Sequence, residues 1–310
     1  MSAVTLRVEL NPKWLDPARH ISLLNQGFPG QWSRPTYDWY IARPFHGIES
    51  DTMVVTDGHR ALSVITLSYR QVCNDANLPV DVGVIGSTVT LPGERGRGHY
   101  GRLLEAVQDH AGRKGYAAII GFVTRDNVSA KGLSHRGALS IPSFYLVSAL
   151  GRRPASRPAS GDLACCAPER AAAEFAHREF QHGQGMRFLY SRSGDWRRQF
   201  IDRPCGVRAL RLAHDSLALV ETVDDTDRLQ WLACPREKVT AAIASLAAAA
   251  AVAKRQFFLY TLDPLIAAAG RRIGLRMRPG YLMLWPTGHR TEAWSRLTNA
   301  SWNVQSGDRL

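Results

Sequence analysis

The chain has 310 residues, 45% of them hydrophobic, enough to bury a sizeable core and long enough to lean towards two domains. Its formal net charge is +12 and its pI is near 9.9, which raises polyanions as partners. The arginines are scattered through both halves with no Lys/Arg block, so a phosphate-bearing small molecule is preferred to nucleic acid.

In chain order, residues 1–31 read as a strand and then a helix around PARHISLLNQGF. The stretch DTMVVTDGHRALSVITL, 51–67, sets an Asp-Gly turn between two β-rich runs, the signature of a hairpin. VGVIGSTVTL, 82–91, is rich in β-branched residues and reads as a buried strand. Next, PGERGRGHYGRLLEAV, 92–107, brings four glycines and three arginines to the start of a helix. In that helix Leu103, Leu104, Val107 and Ala111 fall on one face, with Arg102, Glu105, Gln108 and Asp109 on the other. A short buried strand at 116–123, a helix ending near Gly137 and a strand at 143–150 follow. Residues 151–162, rich in Pro, Ser, Arg and Gly, read as a linker.

Beyond the linker the elements return. YIARP at 40–44 is echoed by FIDRP at 200–204, each shortly after a tryptophan, Trp39 and Trp196. GALSIPSFYLV at 137–147 is echoed by GLRMRPGYLMLW at 274–285: Gly, Pro five residues on, an aromatic two further. Two landmarks in the same order point to duplication. The expected fold class is α/β (α+β), a central mixed sheet flanked by helices in each of two tandem domains, 1–154 and 165–310, with the linker at about 151–164. The passage of the second half that corresponds to the glycine-rich turn, WLACPREKVTAAI at 231–243, has no glycines. The alanine run at 241–253 lies between Lys238 and Lys254 and is too short to span a bilayer, so a soluble helix is expected. No secretion signal follows the first methionine, which makes the cytoplasm the expected location. Five cysteines, Cys165 and Cys166 adjacent, form no spaced framework, and no metal is expected.

The strand–glycine–helix order builds an anion site. A helix N-terminus offers unpaired N–H groups and partial positive charge, glycines let the backbone approach closely, and Arg95 and Arg97 can add charge-assisted bonds. A phosphate loop of the Gly-Lys-Ser/Thr type does not fit, because Arg102-Leu103 stands in that place.

These residues resemble the GCN5-related N-acetyltransferase family, whose signature is a strand followed by Arg/Gln-x-x-Gly-x-Gly/Ala opening a helix. Here it is Arg95-Gly96-Arg97-Gly98-His99-Tyr100. Asn127, ahead of a helix ending near Gly137-Ala138, matches the later family pattern. The resemblance covers 50–147 well and 196–286 more weakly, and extends to tandem-domain members. It implies an acyl-CoA, expected to be acetyl-CoA, as co-substrate. The backbone of Val89, Thr90 and Leu91 would pair with the pantetheine amides, and the N–H groups of Arg97, Gly98, His99, Tyr100 and Gly101 would hold the pyrophosphate. A small-molecule amine would attack the thioester directly, with a strand N–H polarising the oxyanion.

The sequence departs from the family at Tyr100, where Gly or Ala is usual, and at Leu133, where the usual general acid, a tyrosine, would stand. Candidates for moving protons are Asp81 at the start of the key strand, His135 near the missing tyrosine's place, and Tyr145 beyond Pro142. His99, in the cradle, is a candidate to touch phosphate or cleft, and Asn127 matches a CoA-proximal position. Two further readings stand beside an N-acyltransferase of small amines: an aminoacyl-tRNA-dependent transferase, and a non-catalytic CoA-binding module. The acceptor cleft is expected between the halves, with Tyr40, Arg43, Phe200 and Arg203 lining or bracing it.

Overall fold

The structure is a computed structural model that describes residues 6–149, 164–167, 185–190, 193–212, 216–288 and 292–309. The expected linker therefore falls almost wholly outside the described residues.

The first half contains β1 (Arg7–Leu10), α1 (Pro17–Gly27), α2 (Arg34–Tyr37), β2 (Asp51–Thr56), β3 (Ala61–Cys73), β4 (Pro79–Thr90), α3 (His99–Arg113), β5 (Ala118–Thr124), α4 (Val128–Ser134) and β6 (Leu139–Val147). Two short strands follow, β7 (Ala164–Cys166) and β8 (Arg187–Phe188), and then α5 (Ser193–Phe200). The second half contains β9 (Val207–Leu212), β10 (Ser216–Val223), β11 (Thr226–Ala233), α6 (Val239–Val252), β12 (Gln256–Thr261), α7 (Pro264–Arg272), β13 (Arg276–Pro286) and α8 (Glu292–Thr298). The run β2-β3-β4-α3-β5-α4-β6 is thus matched by β9-β10-β11-α6-β12-α7-β13. Each run carries a bulge between its second and third strands, at 64–66 and at 219–220. The shared irregularity supports duplication better than either short sequence echo.

All the described strands join one mixed sheet, β1-β2-β3-β4-β5-β13-β6-β12-β11-β10-β9-β7, with β8 beside β3. The order is not the order of the chain. β13 lies between β5 and β6, antiparallel to both, and β6 lies between β13 and β12. The halves therefore interlock through β6 and β13, the two strands that carry the second sequence echo. Pro142 stands opposite Tyr281, and Phe144 opposite Pro279.

Side chains alternate across the sheet. On one face Leu103, Leu104, Val107 and Ala111 of α3 pack on Ile65, Leu67, Ile119 and Met283; the helical stripe read from the sequence is the buried one. On the other face Val82, Val84, Ala118 and Ile120 are covered by Phe188, Trp294, Leu297, Trp302 and Val304. Helix α6 is buried nearly all round, with Val239, Ile243, Leu246 and Ala250 in a third cluster under the second half. No described helix is long and apolar enough to cross a membrane.

Candidate functional site

β4 and β5 run parallel but pair only through Val82–Ala118, Gly83–Ile119 and Val84–Ile120. β4 then continues to Thr90 and β5 to Thr124, so the two part in a V. Among the described residues no strand fills it. The bulge against β3, with Ser87 at φ 48°, bends β4 away from its neighbour there.

The second half has the same parting, and it is closed. β11 and β12 pair from Thr226–Gln256 to Leu229–Leu259. Past that point the chain's own residues 304–306 enter. Gln305 bridges Thr261; its side-chain oxygen accepts the Leu232 N–H at 2.8 Å, and its amide donates to the Leu232 carbonyl at 3.3 Å. Ser306 Oγ accepts the Tyr260 N–H at 2.7 Å. The backbone edges that an extended ligand would use are already paired.

In the open V, the Leu91 N–H donates to Leu62 (3.0 Å), so Leu91 faces β3. Ladder alternation turns Val89 the same way and Thr90 towards the V. Of the three residues expected to meet pantetheine, Thr90 alone presents its backbone to the gap; Val89 and Leu91 are corrected on that ground. The Thr90 carbonyl also lies 3.4 Å from Arg95 Nε.

After Thr90 a single turn, Pro92–Glu94, leads to the glycines. Gly96 and Gly98 both have φ 79°, and a Cβ on either would meet open space. Conformation, not crowding by the protein, requires glycine here, and the space in front stays clear. Gly98 gives α3 no side-chain cap, so the first N–H groups of this helix remain available to an anion.

The side chains around the turn are arranged differently from expectation. Glu94, buried, lies 2.8 Å from Arg60, 3.1 Å from Arg97 and 3.5 Å from His99. An anion would thus share Arg97 with Glu94. His99 is 2% exposed and points inward to Glu94, which removes its side chain from the cradle. Tyr100 turns to α4, where a Cβ on Gly132 would come within 2.9 Å of its ring; Gly132 makes room for the aromatic that replaces the family's small residue. Gly101, in the first turn, lies against the Arg136 guanidinium, at 2.8 Å from an added Cβ. Asn127 caps α4, its side chain accepting the Ser129 N–H at 2.9 Å, a structural task that explains its presence without a ligand.

The three proton-transfer candidates are not brought together. Asp81 is exposed at the other end of β4, bonded by Gln71 at 2.9 Å. It stands three residues before the V begins and nine before Thr90, roughly 10 to 30 Å away at strand rise. His135 is exposed at the C-cap of α4, its N–H closing the helix. Neither is placed to serve the gap. Tyr145 lies on the sheet face opposite α3, edge-on to Tyr260 at 5.0 Å. A Cβ on Gly280 would overlap its ring, so the ring leans over β13 towards β5. Burial pushes its hydroxyl pKa up, which keeps it protonated at neutral pH.

That same face holds a buried polar cluster that the sequence reading missed. Thr66, Ser68 and Arg70 alternate along β3 with Ile65, Leu67 and Tyr69, and all six are buried. Arg70 is 3% exposed; its guanidinium lies 2.9 Å from the Phe45 ring centre. Neither of its terminal nitrogens has a hydrogen-bond partner among the described residues. Burial pushes its pKa down, to about 9. Close by, burial pushes Asp308 up to about 6, against bonds from the Gln305 N–H and from Tyr190. Arg309 sits 4.6 Å from the Tyr260 ring centre and 4.8 Å from that of Tyr145.

The first sequence echo meets here too. Arg43 and Arg203 lie 3.7 and 4.2 Å from the Trp39 ring centre, one from each half. Trp39 Nε1 and Arg43 both donate to the Arg198 carbonyl, at 2.8 and 3.0 Å. Arg203 is held by Glu221 at 3.0 Å. These residues brace the two halves against each other. A separate cavity of about 130 Å³ borders Asp227, but Arg255, Arg208 and Thr222 already saturate that carboxylate. Among the described residues no group of His, Cys, Asp and Glu could hold a metal ion.

No protein-family model and no curated protein matches the sequence. Solved structures do match the fold. A tandem GCN5-related N-acetyltransferase protein from the clavulanic acid biosynthesis pathway superposes with a TM-score of 0.65 at 15% identity, over 91% of this chain and 99% of that one. A probable N-acyltransferase from Enterococcus faecalis gives 0.60 at 11% identity, over 91% and 72%. The N-myristoyltransferase of Saccharomyces cerevisiae, with myristoyl-CoA bound, gives 0.60 at 10% identity, over 90% and 80%. The chain has the tandem GCN5-related N-acetyltransferase fold.

Proposed function

We propose that this chain is an acyl-CoA-dependent N-acyltransferase with one donor site, in the first half, and a small-molecule amine as acceptor. The observation that carries the reading is the pair of V-shaped partings: the one ahead of the glycine turn is open, and its counterpart is filled by residues 304–306. An extended pantetheine arm would pair with the free edge of β4 around Thr90. The clear space before Gly96 and Gly98 and the uncapped start of α3 suit its pyrophosphate. Acetyl-CoA is the expected donor, and the N-myristoyltransferase that shares the fold binds a longer acyl-CoA.

The donor supplies an activated thioester. The amine nitrogen forms a bond to the carbonyl carbon as the carbon–sulfur bond breaks; nitrogen loses a proton and sulfur gains one. A backbone N–H on the free edge of β4 stabilises the negative charge that builds on oxygen. Tyr145, kept protonated by burial, is the candidate to return a proton to sulfur, because it alone of the three candidates lies on the face opposite α3 and leans towards β5. Bringing the reactants together supplies most of the acceleration.

The test is release of free thiol from acetyl-CoA in the presence of a library of primary amines. At least one amine should raise thiol release above background hydrolysis. Saturable acetyl-CoA binding with no turnover on any amine would instead support a CoA-binding module.

A further inference from the structure

Arg70 is expensive to bury as it stands. A charged group taken out of water needs hydrogen bonds or a close opposite charge. Arg70 has a ring against one side and, among the described residues, no hydrogen-bond partner for its two terminal nitrogens. Among the described residues, the acidic groups that act on Arg70 are Tyr190, Asp308 and Asp195, and Asp308 is bonded elsewhere. Asp308 accepts from the Tyr190 hydroxyl at 2.8 Å and from the Gln305 N–H at 2.9 Å. Asp195 faces His46 at 3.3 Å, and its Oδ2 has no hydrogen bond among the described residues. Thr66, on the same strand face, is buried too, and its hydroxyl has no partner among the described residues.

The position is as telling as the chemistry. Arg70 stands opposite Val82, and Thr66 opposite Gly86. The V between β4 and β5 opens after Val84. Arg70 therefore stands one strand away from the V, across β4, and two residues short of its opening, about 7 Å along the strand. It lies on the face opposite α3, because its neighbours Leu67 and Tyr69 pack with α3. The turn bridged by Phe45 and Ile48 covers it.

We propose that Arg70 receives a carboxylate carried by the acceptor, so that the substrate is an amino carboxylate held with its anionic end at Arg70 and its amine at the mouth of the V. This rests on the acyltransferase reading for the identity of the reacting end. The planar fork of a guanidinium matches a carboxylate through two parallel bonds, and the Thr66 hydroxyl is left to meet the rest of the molecule. A monoanion suits the cluster better than a phosphate, because Asp308 and Asp195 already put negative charge nearby.

The experiment uses the full chain and needs no turnover. Thermal melting is followed with sodium butyrate, inorganic phosphate or chloride as probe, at constant ionic strength. Butyrate should raise the wild-type melting temperature by about 2 °C at ten times its Kd, and phosphate should not. Arg70→Met should melt no lower than wild type without ligand, since it removes a buried charge whose two terminal nitrogens have no partner among the described residues, and should lose the butyrate shift. Arg70→Lys, which keeps the charge without the fork, should lose most of the shift. The proposal is overturned if butyrate has no effect, if Arg70→Met or Arg70→Lys shows the full shift, if phosphate stabilises in place of butyrate, or if Arg70→Met melts lower, which would mean Arg70 is a structural partner of Asp308. Acetyl-CoA binding, titrated separately, reports on the acyltransferase reading alone: its absence beside an intact butyrate response sinks that reading and leaves the anion site standing.

Discussion

Gln305 closes the second half's parting, and Gln305→Ala measures how much that closure matters. The side chain bonds both the N–H and the carbonyl of Leu232, at 2.8 and 3.3 Å, and Leu232 is buried. Truncation leaves one buried donor and one buried acceptor unpaired, with no room for a strand to replace them. An unsatisfied buried group costs about 1–3 kcal/mol, and the longer of the two bonds contributes less. The expected loss is roughly 2–4 kcal/mol, a fall of about 1 M in the urea midpoint at an ordinary slope. Equilibrium urea unfolding followed by tryptophan fluorescence reads this directly. A loss below about 0.5 kcal/mol with an unchanged slope would show that water reaches Leu232, and the argument that this parting is sealed would fail.

Other variants test the remaining contacts. Burial works to raise the Asp51 carboxyl, but bonds from Tyr69, Asn11, His110 and Lys114 outweigh it and hold the pKa at about 2. Because the folded value lies below the unfolded one, this stabilisation is full above about pH 4 and disappears as pH falls towards 2. Asp51→Asn should therefore cost roughly 2 kcal/mol at pH 7 and flatten the acid limb of stability; an acid limb identical to wild type would contradict the assignment. Gly132→Ala pushes a methyl into the Tyr100 ring and should lower stability by about 1–3 kcal/mol, a cost that Tyr100→Ala should relieve in the double variant. If the two losses simply add, Tyr100 does not lie where the structure puts it.

How much of this was legible in the sequence depended on range. The hairpin at 51–67, the strand at 82–91 and the helix behind the glycines follow from local period and turn chemistry, and all are present. The interlocking of β6 and β13 is not a local property. Each reads as a strand, but nothing in its residues says which neighbours it takes. Arg70 was hidden for a related reason. Thr66, Ser68 and Arg70 alternate with apolar residues, the pattern of a strand with one wet face, and only the turn at Phe45 and the tail at 302–309 turn that face into an interior. His99 looked like a ligand because it adjoins the glycines; helical geometry instead carries it inward to Glu94. The plug at 304–306 has no period to detect, since it works through one glutamine side chain and a few backbone groups.

The central claim is that one donor site exists and that the glycine turn builds it. Calorimetric titration of the full chain with acetyl-CoA, on wild type and Gly98→Val, tests it most directly. The account predicts one molecule bound per chain. In the variant, a branched side chain must adopt φ 79° and fill the clear space, so affinity should fall at least tenfold, about 1.4 kcal/mol. Two molecules per chain, no saturable binding, or an unchanged Kd in a folded Gly98→Val variant would contradict it.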